Sequence, residues 1–263
     1  MRALACILLS LACLTAAADP PLRLALEAGA DGLRTAQDWQ AAAREYLSRT
    51  GVPLEPLLVS SSEEMLRALD SREAEAAVLD AAAFLRNRDR LRILGVAAEY
   101  GSPYERFLLV ASAESVIHRP EDLPRARLVL AGTPGTLPWD LPLAWARRYR
   151  GPDAGAADPR PETGYEGVLR NVALGQADAG FLPGGFLERR KTSALADRIR
   201  IVAAIPPCPL ALLVARRDLA GDRAALAEGL LGLSAGTLEL RTPPADLEAV
   251  LSGLEEALRA PRP

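Results

Sequence analysis

The segment Leu128-Val129-Leu130-Ala131-Gly132-Thr133-Pro134-Gly135-Thr136 decides how the rest of the chain is interpreted. Four apolar residues form a short strand-like run, a turn of Gly, Thr and Pro ends it, and a helical pattern follows at about 141–149. A strand, a glycine-rich turn and a helix start together direct backbone N–H groups at an anion. An ordinary strand-to-helix loop of an α/β domain has the same pattern, so the segment alone leaves both interpretations open.

Strand-like and helical patterns alternate on both sides of this segment. Strands are predicted at 22–26, 53–59, 75–79, 91–98, 107–111, 177–182, 199–205 and 210–215. Helices are predicted at 35–50, 60–71, 80–87, 141–149, 165–174, 186–194, 224–235 and 245–258. The Gly- and Pro-rich stretch 151–164 is a predicted loop. Alternation of this kind predicts an α/β fold with parallel strand pairs and helices on the sheet faces.

Length and composition place the chain among ordinary globular proteins. It has 263 residues, of which 49% are hydrophobic and 25% charged, which suits one large domain or two small ones. The net charge of −3 provides no basic field for nucleic acid. No apolar run after the N-terminal one reaches the about 18 residues of a membrane-spanning helix.

The N-terminus predicts export. A basic start at Arg2, an apolar run at 3–14 and the small residues 16–18 form a secretory signal peptide, cut after Ala18. A lipoprotein signal at Cys13 is the alternative, although Ser10 stands where an aliphatic residue is expected. The remaining cysteine, Cys208, then has no partner for an intramolecular disulfide, and we expect a buried structural thiol.

The sequence contains few of the residue patterns that catalytic sites require. His118 is the one histidine, and it falls in a predicted loop. No Gly-x-Ser-x-Gly motif appears, no His/Cys group has metal-ligand spacing, and the Gly132 turn lacks the Lys of a phosphate-binding loop. We therefore expect a protein that is not an enzyme and has no cofactor and no metal site.

Several segments, in order, carry a resemblance that covers nearly the whole mature chain. They are Trp39–Gly51, Glu64–Ala77, Gly101–Tyr104, Glu121–Leu123 with Gly132–Thr136, Leu174–Gly180, and Ile205–Pro209 with Leu213–Leu219. Their order and spacing resemble the phosphate/phosphite/phosphonate-type solute-binding proteins of ABC transporters, a type II periplasmic-binding-protein family. The resemblance implies a periplasmic protein, expected as a monomer, that hands a small molecule to a permease in the inner membrane.

The same resemblance implies a two-lobe fold. Mixed sheets flanked by helices would form the lobes, a ligand cleft would separate them, and two hinge crossings would join them near 107–111 and 210–215. Lobe one would comprise 19–106 and 216–263, and lobe two would comprise 107–215. A transport-independent periplasmic partner or sensor of a membrane or redox system is the alternative function.

The ligand site departs from the family pattern. The family has a Ser-Thr-Ser-like anion turn, whereas this chain has Gly135-Thr136-Leu137-Pro138-Trp139, with one hydroxyl and with a proline that lacks an N–H. Asp80 would repel a phosphonate if it faced the cleft, or would only cap the following helix, and both interpretations stay open. Glu166 is a second acidic candidate. We therefore expect a ligand other than a simple phosphonate.

The predicted ligand contacts come from these loops and from the few aromatic residues. They are Thr133, Gly135, Thr136, Trp139, Ser102, Tyr104, Tyr165, Asp80 and Phe181. Aromatic walls, to which Tyr100 would also belong, suit organic or cationic ligands. Packing in the hydrophobic core is the equally weighted alternative for each aromatic side chain.

Overall fold

The computed structural model of the protein describes residues 19–28, 32–99, 101–150 and 159–259. The predicted signal peptide at 1–18, Tyr100 and most of the predicted 151–164 loop lie outside the described residues. Two β-sheets with helices around them form the molecule, in agreement with the predicted α/β class.

Strands and helices alternate through most of the chain. The strands are β1 (Leu22–Glu27), β2 (Leu54–Val59), β3 (Ala76–Asp80), β4 (Leu91–Glu99), β5 (Phe107–Ser112), β6 (Leu128–Ala131), β7 (Arg160–Glu162), β8 (Ala179–Pro183), β9 (Ile199–Ala204), β10 (Ala211–Arg216), β11 (Ser234–Ala235) and β12 (Leu238–Arg241). The α-helices are α1 (Gly32–Thr50), α2 (Ser62–Asp70), α3 (Ala81–Arg86), α4 (Leu137–Arg150), α5 (Tyr165–Ala173), α6 (Gly184–Arg190), α7 (Gly221–Glu228) and α8 (Leu247–Leu258). Short 3₁₀ helices lie at Pro120–Arg125 and Ala196–Arg198.

The first sheet has seven strands in the order β11-β12-β4-β10-β3-β1-β2. β1 pairs in parallel with β2 and with β3, and β10 runs antiparallel between β3 and β4. Because β10 is antiparallel to both neighbours, β4 points the same way as β1 and β3. The carboxyl ends of these three strands therefore lie at one edge of the sheet. We call the part of the chain around this sheet the first lobe.

The second sheet has five strands in the order β7-β6-β8-β5-β9. β6 is parallel to β7 and β8, and β5 is antiparallel to β8 and β9. The carboxyl ends of β6 and β7 thus also share an edge. We call this part of the chain the second lobe.

The chain crosses between the sheets twice, and the described residues of the two crossings are 101–106 and 205–210. The crossings pair with each other, since Glu105 and Cys208 exchange two backbone hydrogen bonds of 2.9 Å. The prediction that 211–215 belongs to lobe two needs correction. β10 is a central strand of the first sheet, where its apolar residues Leu212, Leu213 and Val214 are fully buried between β3 and β4. The second crossing therefore precedes this strand.

Local sequence explains most of the elements. In α1, Trp39, Ala42 and Tyr46 recur at helical spacing and are buried against the first sheet. α2 begins after Ser61, whose side chain accepts the N–H of Glu64 at 3.3 Å and so satisfies one free donor of the helix start. These interactions orient the helices whose ends surround the cleft.

Three elements differ from the prediction. α4 begins at Leu137 rather than near 141, because a proline is tolerated in the first helical turn, where the missing N–H has no helical partner. β7 lies inside the predicted loop and is an edge strand, where Pro161 costs no ladder hydrogen bond on the open side. The short β11 and β12 replace part of the predicted 224–235 helix and the segment after it.

The final helix links the lobes. α8 packs on α3 of the first lobe and on α4 of the second. Its buried Leu247, Leu251 and Leu254 belong to a hydrophobic cluster that also includes residues of both sheets. The C-terminal helix therefore lies across the lobes on one side of the molecule.

Candidate functional site

A cleft of about 390 Å³ lies between the sheets, at the edge where parallel strands of both lobes end. In the first lobe its wall contains Glu27, Asp80 and Glu99, which are the last residues of β1, β3 and β4. The second lobe lines it with the residues that end or follow β6 and β7, namely Ala131, Gly132, Thr136, Leu137, Pro138, Thr163, Gly164 and Tyr165. Open α/β sheets bind ligands outside the carboxyl ends of their strands, so this cleft is the candidate site.

Asp80 combines both roles that the sequence left open. Its Oδ1 accepts the backbone N–H of Ala83 at 2.8 Å and so caps α3, and its Oδ2 accepts the hydroxyl of Ser62 at 2.9 Å. The same side chain lines the cleft. Burial raises the pKa of Asp80 although these hydrogen bonds act in the opposite direction. The carboxyl is therefore positioned by α3 but is not fully compensated for its loss of solvation.

Glu27 and Glu99 add two more carboxyls to the wall. Burial raises the pKa of Glu27, and the negative charge of Asp80 raises it further. Burial also raises the pKa of Glu99, where Glu105 adds to the rise and Arg189 opposes it. Burial is the largest cause of the raised pKa of all three groups, so each of these carboxyls is poorly solvated when it is ionised.

The turn after β6 uses its hydrogen-bond donors internally. The N–H of Gly132 donates to the carbonyl of Glu162 at 2.9 Å, and both the N–H and the hydroxyl of Thr136 donate to the carbonyl of Thr133, at 3.1 and 2.7 Å. Gly132 has a φ of +79°, and a Cβ there would lie 2.7 Å from the Thr136 hydroxyl oxygen. Glycine is therefore required for this tight turn.

A carboxylate of the protein accepts one of the backbone N–H groups of this turn. Asp140, in the first turn of α4, accepts the N–H of Gly135 at 3.1 Å. Arg86 on α3 donates to the Gly135 carbonyl at 2.5 Å and lies 3.3 Å from the other Asp140 oxygen. Because Pro138 lacks an N–H, the turn offers a phosphonate few of the donors that an anion site requires.

Among the aromatic residues predicted to contact a ligand, Tyr165 lines the cleft. It begins α5, and its ring lies 6.5 Å from that of Phe107 and 5.7 Å from that of Phe186. Burial raises the pKa of its hydroxyl, with further contributions from Glu99, Cys208 and Glu105. The hydroxyl therefore stays neutral and can donate or accept a hydrogen bond.

Two of the aromatic residues predicted to contact a ligand belong to the core. Trp139 is 7% exposed and Phe181 is 1% exposed, and neither lines the cleft. The Phe181 ring packs edge-on against Trp145 at 5.8 Å. Their positions correct the prediction, because the helical phase of α4 and the inward face of β8 direct these side chains into the protein interior.

Four other predicted contacts lie outside the cleft lining. Thr133 and Gly135 are exposed to solvent. The Ser102 hydroxyl donates to the Tyr104 carbonyl at 2.5 Å, and the Tyr104 hydroxyl donates to Asp246 at 2.6 Å. Burial and Asp246 raise the pKa of Tyr104 to about 12. Ser102 and Tyr104 thus fix the first crossing to the segment that precedes α8.

Of the nine predicted contacts, Thr136, Tyr165 and Asp80 line the cleft. Glu166 instead pairs with Arg190, at 2.6 Å from its Nε. The sequence reasoning missed Glu27 and Glu99. A signal for both was present, because each acidic residue directly follows an apolar strand whose carboxyl end points to the same sheet edge.

The remaining reactive groups have structural surroundings. Cys208 is 2% exposed, and burial together with Glu105 raises the pKa of its thiol to about 12, in keeping with a structural role. His118 is exposed, and its backbone N–H donates to the Asp122 carboxylate at 2.9 Å. Within the described ranges, no group of three or more His, Cys, Asp or Glu side chains is arranged to hold a metal ion. No helix in that part of the chain is both long and apolar enough to cross a membrane.

Comparison with known proteins agrees with this architecture. The protein is similar to a Xanthomonas citri protein bound to ATP, with a TM-score of 0.74 and 16% identity over 90% of this chain and 96% of that one. PhnD1 of Prochlorococcus marinus in complex with methylphosphonate aligns with a TM-score of 0.67 and 10% identity, over 90% and 97% of the two chains. A binding protein component of an ABC phosphonate transporter from Pseudomonas aeruginosa aligns with a TM-score of 0.64 and 16% identity, over 91% and 87%. At such identities the likeness establishes the fold.

Sequence comparison gives the family. No curated protein sequence matches the chain. The family model described as the periplasmic substrate-binding protein of phosphonate ABC transporters matches residues 30–255, which include all of the second sheet and every strand of the first sheet except β1. The fold, the cleft between the lobes and this match together show that the chain belongs to the phosphonate-type family of periplasmic substrate-binding proteins of ABC transporters.

Proposed function

We propose that the protein binds a small molecule by closing its lobes on the cleft and then delivers that molecule to an ABC permease in the inner membrane. The single observation that carries the proposal is that residues of both lobes line one cavity at the carboxyl ends of their strands. Glu27, Asp80 and Glu99 come from the first lobe, and Thr136 and Tyr165 come from the second. A ligand that contacts both walls stabilises the closed arrangement more than the open one.

The side chain of Arg86 stabilises the closed arrangement of the lobes although it does not itself contact the ligand. Its guanidinium reaches from α3 to the Gly135 carbonyl and to Asp140 across the interface between the lobes. These contacts join the lobes beside the cleft. Arg86 therefore acts as a latch whose strength sets part of the balance between open and closed forms.

We also propose that the ligand is not a simple phosphonate. Gly135 donates to Asp140, Thr136 donates to Thr133, and Pro138 has no donor, so the turn is occupied by the protein's own acceptors. The facing carboxyls of the first lobe would repel a phosphonate dianion. Methylphosphonate and phosphate should accordingly leave the melting temperature unchanged, and a rise of several degrees with either would contradict the proposal.

Closure itself has a direct test. Small-angle X-ray scattering should give a smaller radius of gyration when the natively purified protein is saturated with the small molecule recovered from it. Uptake of that labelled molecule by cells with and without the gene then tests delivery. Compaction without any difference in uptake would favour the alternative, a binding partner or sensor that acts independently of transport. The altered anion turn is the observation that supports this alternative.

A further inference from the structure

A second, smaller pocket lined by first-lobe residues adjoins the cleft at two shared residues. This pocket of about 310 Å³ shares Glu27 and Asp80 with the cleft and extends to Asp38 and Trp39 on α1. The two spaces together have four carboxyls in their walls: Glu27, Asp38, Asp80 and Glu99. Among the described residues that line them, no Lys, Arg or His is present.

Two arginines act on these carboxyls without lining either space. Arg86 affects Asp80, but its guanidinium is held by the second lobe through Gly135 and Asp140. Arg189 affects Glu99 in the same way and does not line either space. Neither arginine provides a positive group inside the cavity, so the carboxyls retain the capacity to pair with a cation that enters it.

Tyr165 is an independent indication of a polar ligand group. Its ring is packed beside Phe107 and Phe186, so the position of the hydroxyl is fixed on the second-lobe wall. Within the described part of the chain this hydroxyl has no hydrogen-bond partner. A hydroxyl that is accessible from the cleft and has no partner in this part of the protein can hydrogen-bond to a ligand that supplies a donor or an acceptor.

The number of aromatic rings decides between kinds of cation. Quaternary ammonium groups are bound by cages of several aromatic rings. Tyr165 is the one aromatic ring among the described residues of the cleft, and Trp39 the one in the adjoining pocket, and they come from different lobes. Carboxylates and a hydroxyl instead suit a primary ammonium, which has three N–H donors.

We propose that the cleft and its adjoining pocket bind an elongated aliphatic diamine, with one primary ammonium at Glu27 and Asp80 and the other reaching Glu99 and Tyr165 in the cleft. The carbon chain lies along the apolar part of the wall, which includes Leu137 and Leu210. This inference rests on the proposed function, because it names the ligand class of the same cleft.

Calorimetric titration of the native protein with putrescine tests the inference. Putrescine should bind with measurable heat, whereas the uncharged 1,4-butanediol of the same length should not. Asp80→Asn and Glu27→Gln should each weaken putrescine binding by about tenfold or more, since each removes a charge-assisted contact. Asn at position 80 can still accept the N–H of Ala83, so the cap of α3 is kept. Glu45→Gln is the matched control, because Glu45 is a solvent-exposed acid on α1 that pairs with Arg49 away from the cleft.

Three results with putrescine, 1,4-butanediol and the cleft variants would overturn the inference. They are the absence of heat with putrescine, equal binding of 1,4-butanediol, and unchanged putrescine affinity in both cleft variants while their circular dichroism matches the wild type. Tighter binding of choline than of putrescine would equally contradict a primary ammonium. If putrescine fails but another molecule compacts the protein in scattering, the diamine inference is wrong and the proposed solute-binding function stands. If no molecule recovered from the native protein compacts it, the proposed function itself fails.

Discussion

Replacing Gly132 by Ala tests whether the hydrogen bond from Thr136 to Thr133 stabilises the turn after β6. At a φ of +79° an alanine costs about 1–2 kcal/mol, because its Cβ approaches the following carbonyl. The added Cβ would also lie 2.7 Å from the Thr136 hydroxyl oxygen, which must move and give up its 2.7 Å hydrogen bond to Thr133. A net hydrogen bond contributes about 1 kcal/mol, so we expect a total loss of about 2–3 kcal/mol in the free energy of unfolding.

Gly135→Ala is the matched control for this substitution. Its φ of +95° requires the same kind of strained backbone, but nothing lies within 4 Å of a Cβ at that position. Urea unfolding followed by circular dichroism should show that Gly132→Ala is about 1 kcal/mol more destabilising than Gly135→Ala, the difference being the lost Thr136 hydrogen bond. Equal effects of the two variants, or a greater effect at Gly135, would refute the reasoning.

Three further substitutions test the latch, the first crossing and the acidic wall. Arg86→Ala should weaken ligand affinity by a few-fold, since it removes charged hydrogen bonds between the lobes, and should enlarge the radius of gyration; an unchanged radius would contradict the latch. Tyr104→Phe should lower the free energy of unfolding by about 1 kcal/mol through loss of the 2.6 Å bond to Asp246. In the wild type, ultraviolet titration should leave Tyr104 un-ionised until about pH 12. Burial raises the pKa of Asp80, so its contribution to stability is present below its unfolded pKa and is lost as pH rises through the folded value. Asp80→Asn should therefore change the melting temperature more favourably near pH 7 than near pH 4, and the opposite order would count against a desolvated carboxyl.

The sequence predicted the architecture well because its signals were local and repeated. Apolar runs such as Leu91–Ala98 and the helical spacing of Trp39, Ala42 and Tyr46 specify elements that pack as expected. The place of β10 was harder. An apolar run at 210–215 fits a strand in either sheet, and only its pairing with β3 and β4 determines which lobe contains it.

The sequence predicted only part of the candidate site, because it does not define which residues near a turn face the cleft. Asp80, Thr136 and Tyr165 follow strand ends or begin helices, and this position brings them to the cleft. Trp139 and Phe181 follow the same kind of sequence signal, yet helical phase and strand alternation turn them inward. A shift of one residue in the boundary of a strand or helix decides whether a side chain next to a turn faces the cleft or the core. A single sequence does not define such boundaries to one residue.

The self-bonding of the turn was also beyond the sequence. The missing hydroxyls and Pro138 were visible as departures from the family pattern. Asp140 accepts the N–H of Gly135, and Arg86 approaches the turn from the other lobe. The sequence does not predict these contacts, because they depend on side-chain positions across the interface. Through these contacts the protein itself occupies the N–H and the carbonyl of Gly135.

The most direct test of the central claim is non-denaturing mass spectrometry of the protein purified from the cell envelope without refolding. We predict a protein ion that carries one small molecule, released on denaturation, whose mass and fragments contain no phosphonate or phosphate group. Binding of that molecule should be weakened by about tenfold or more in Asp80→Asn and unchanged in Glu45→Gln. A bound phosphonate or phosphate would contradict the account, and so would a bound molecule that the cleft variant retains unchanged.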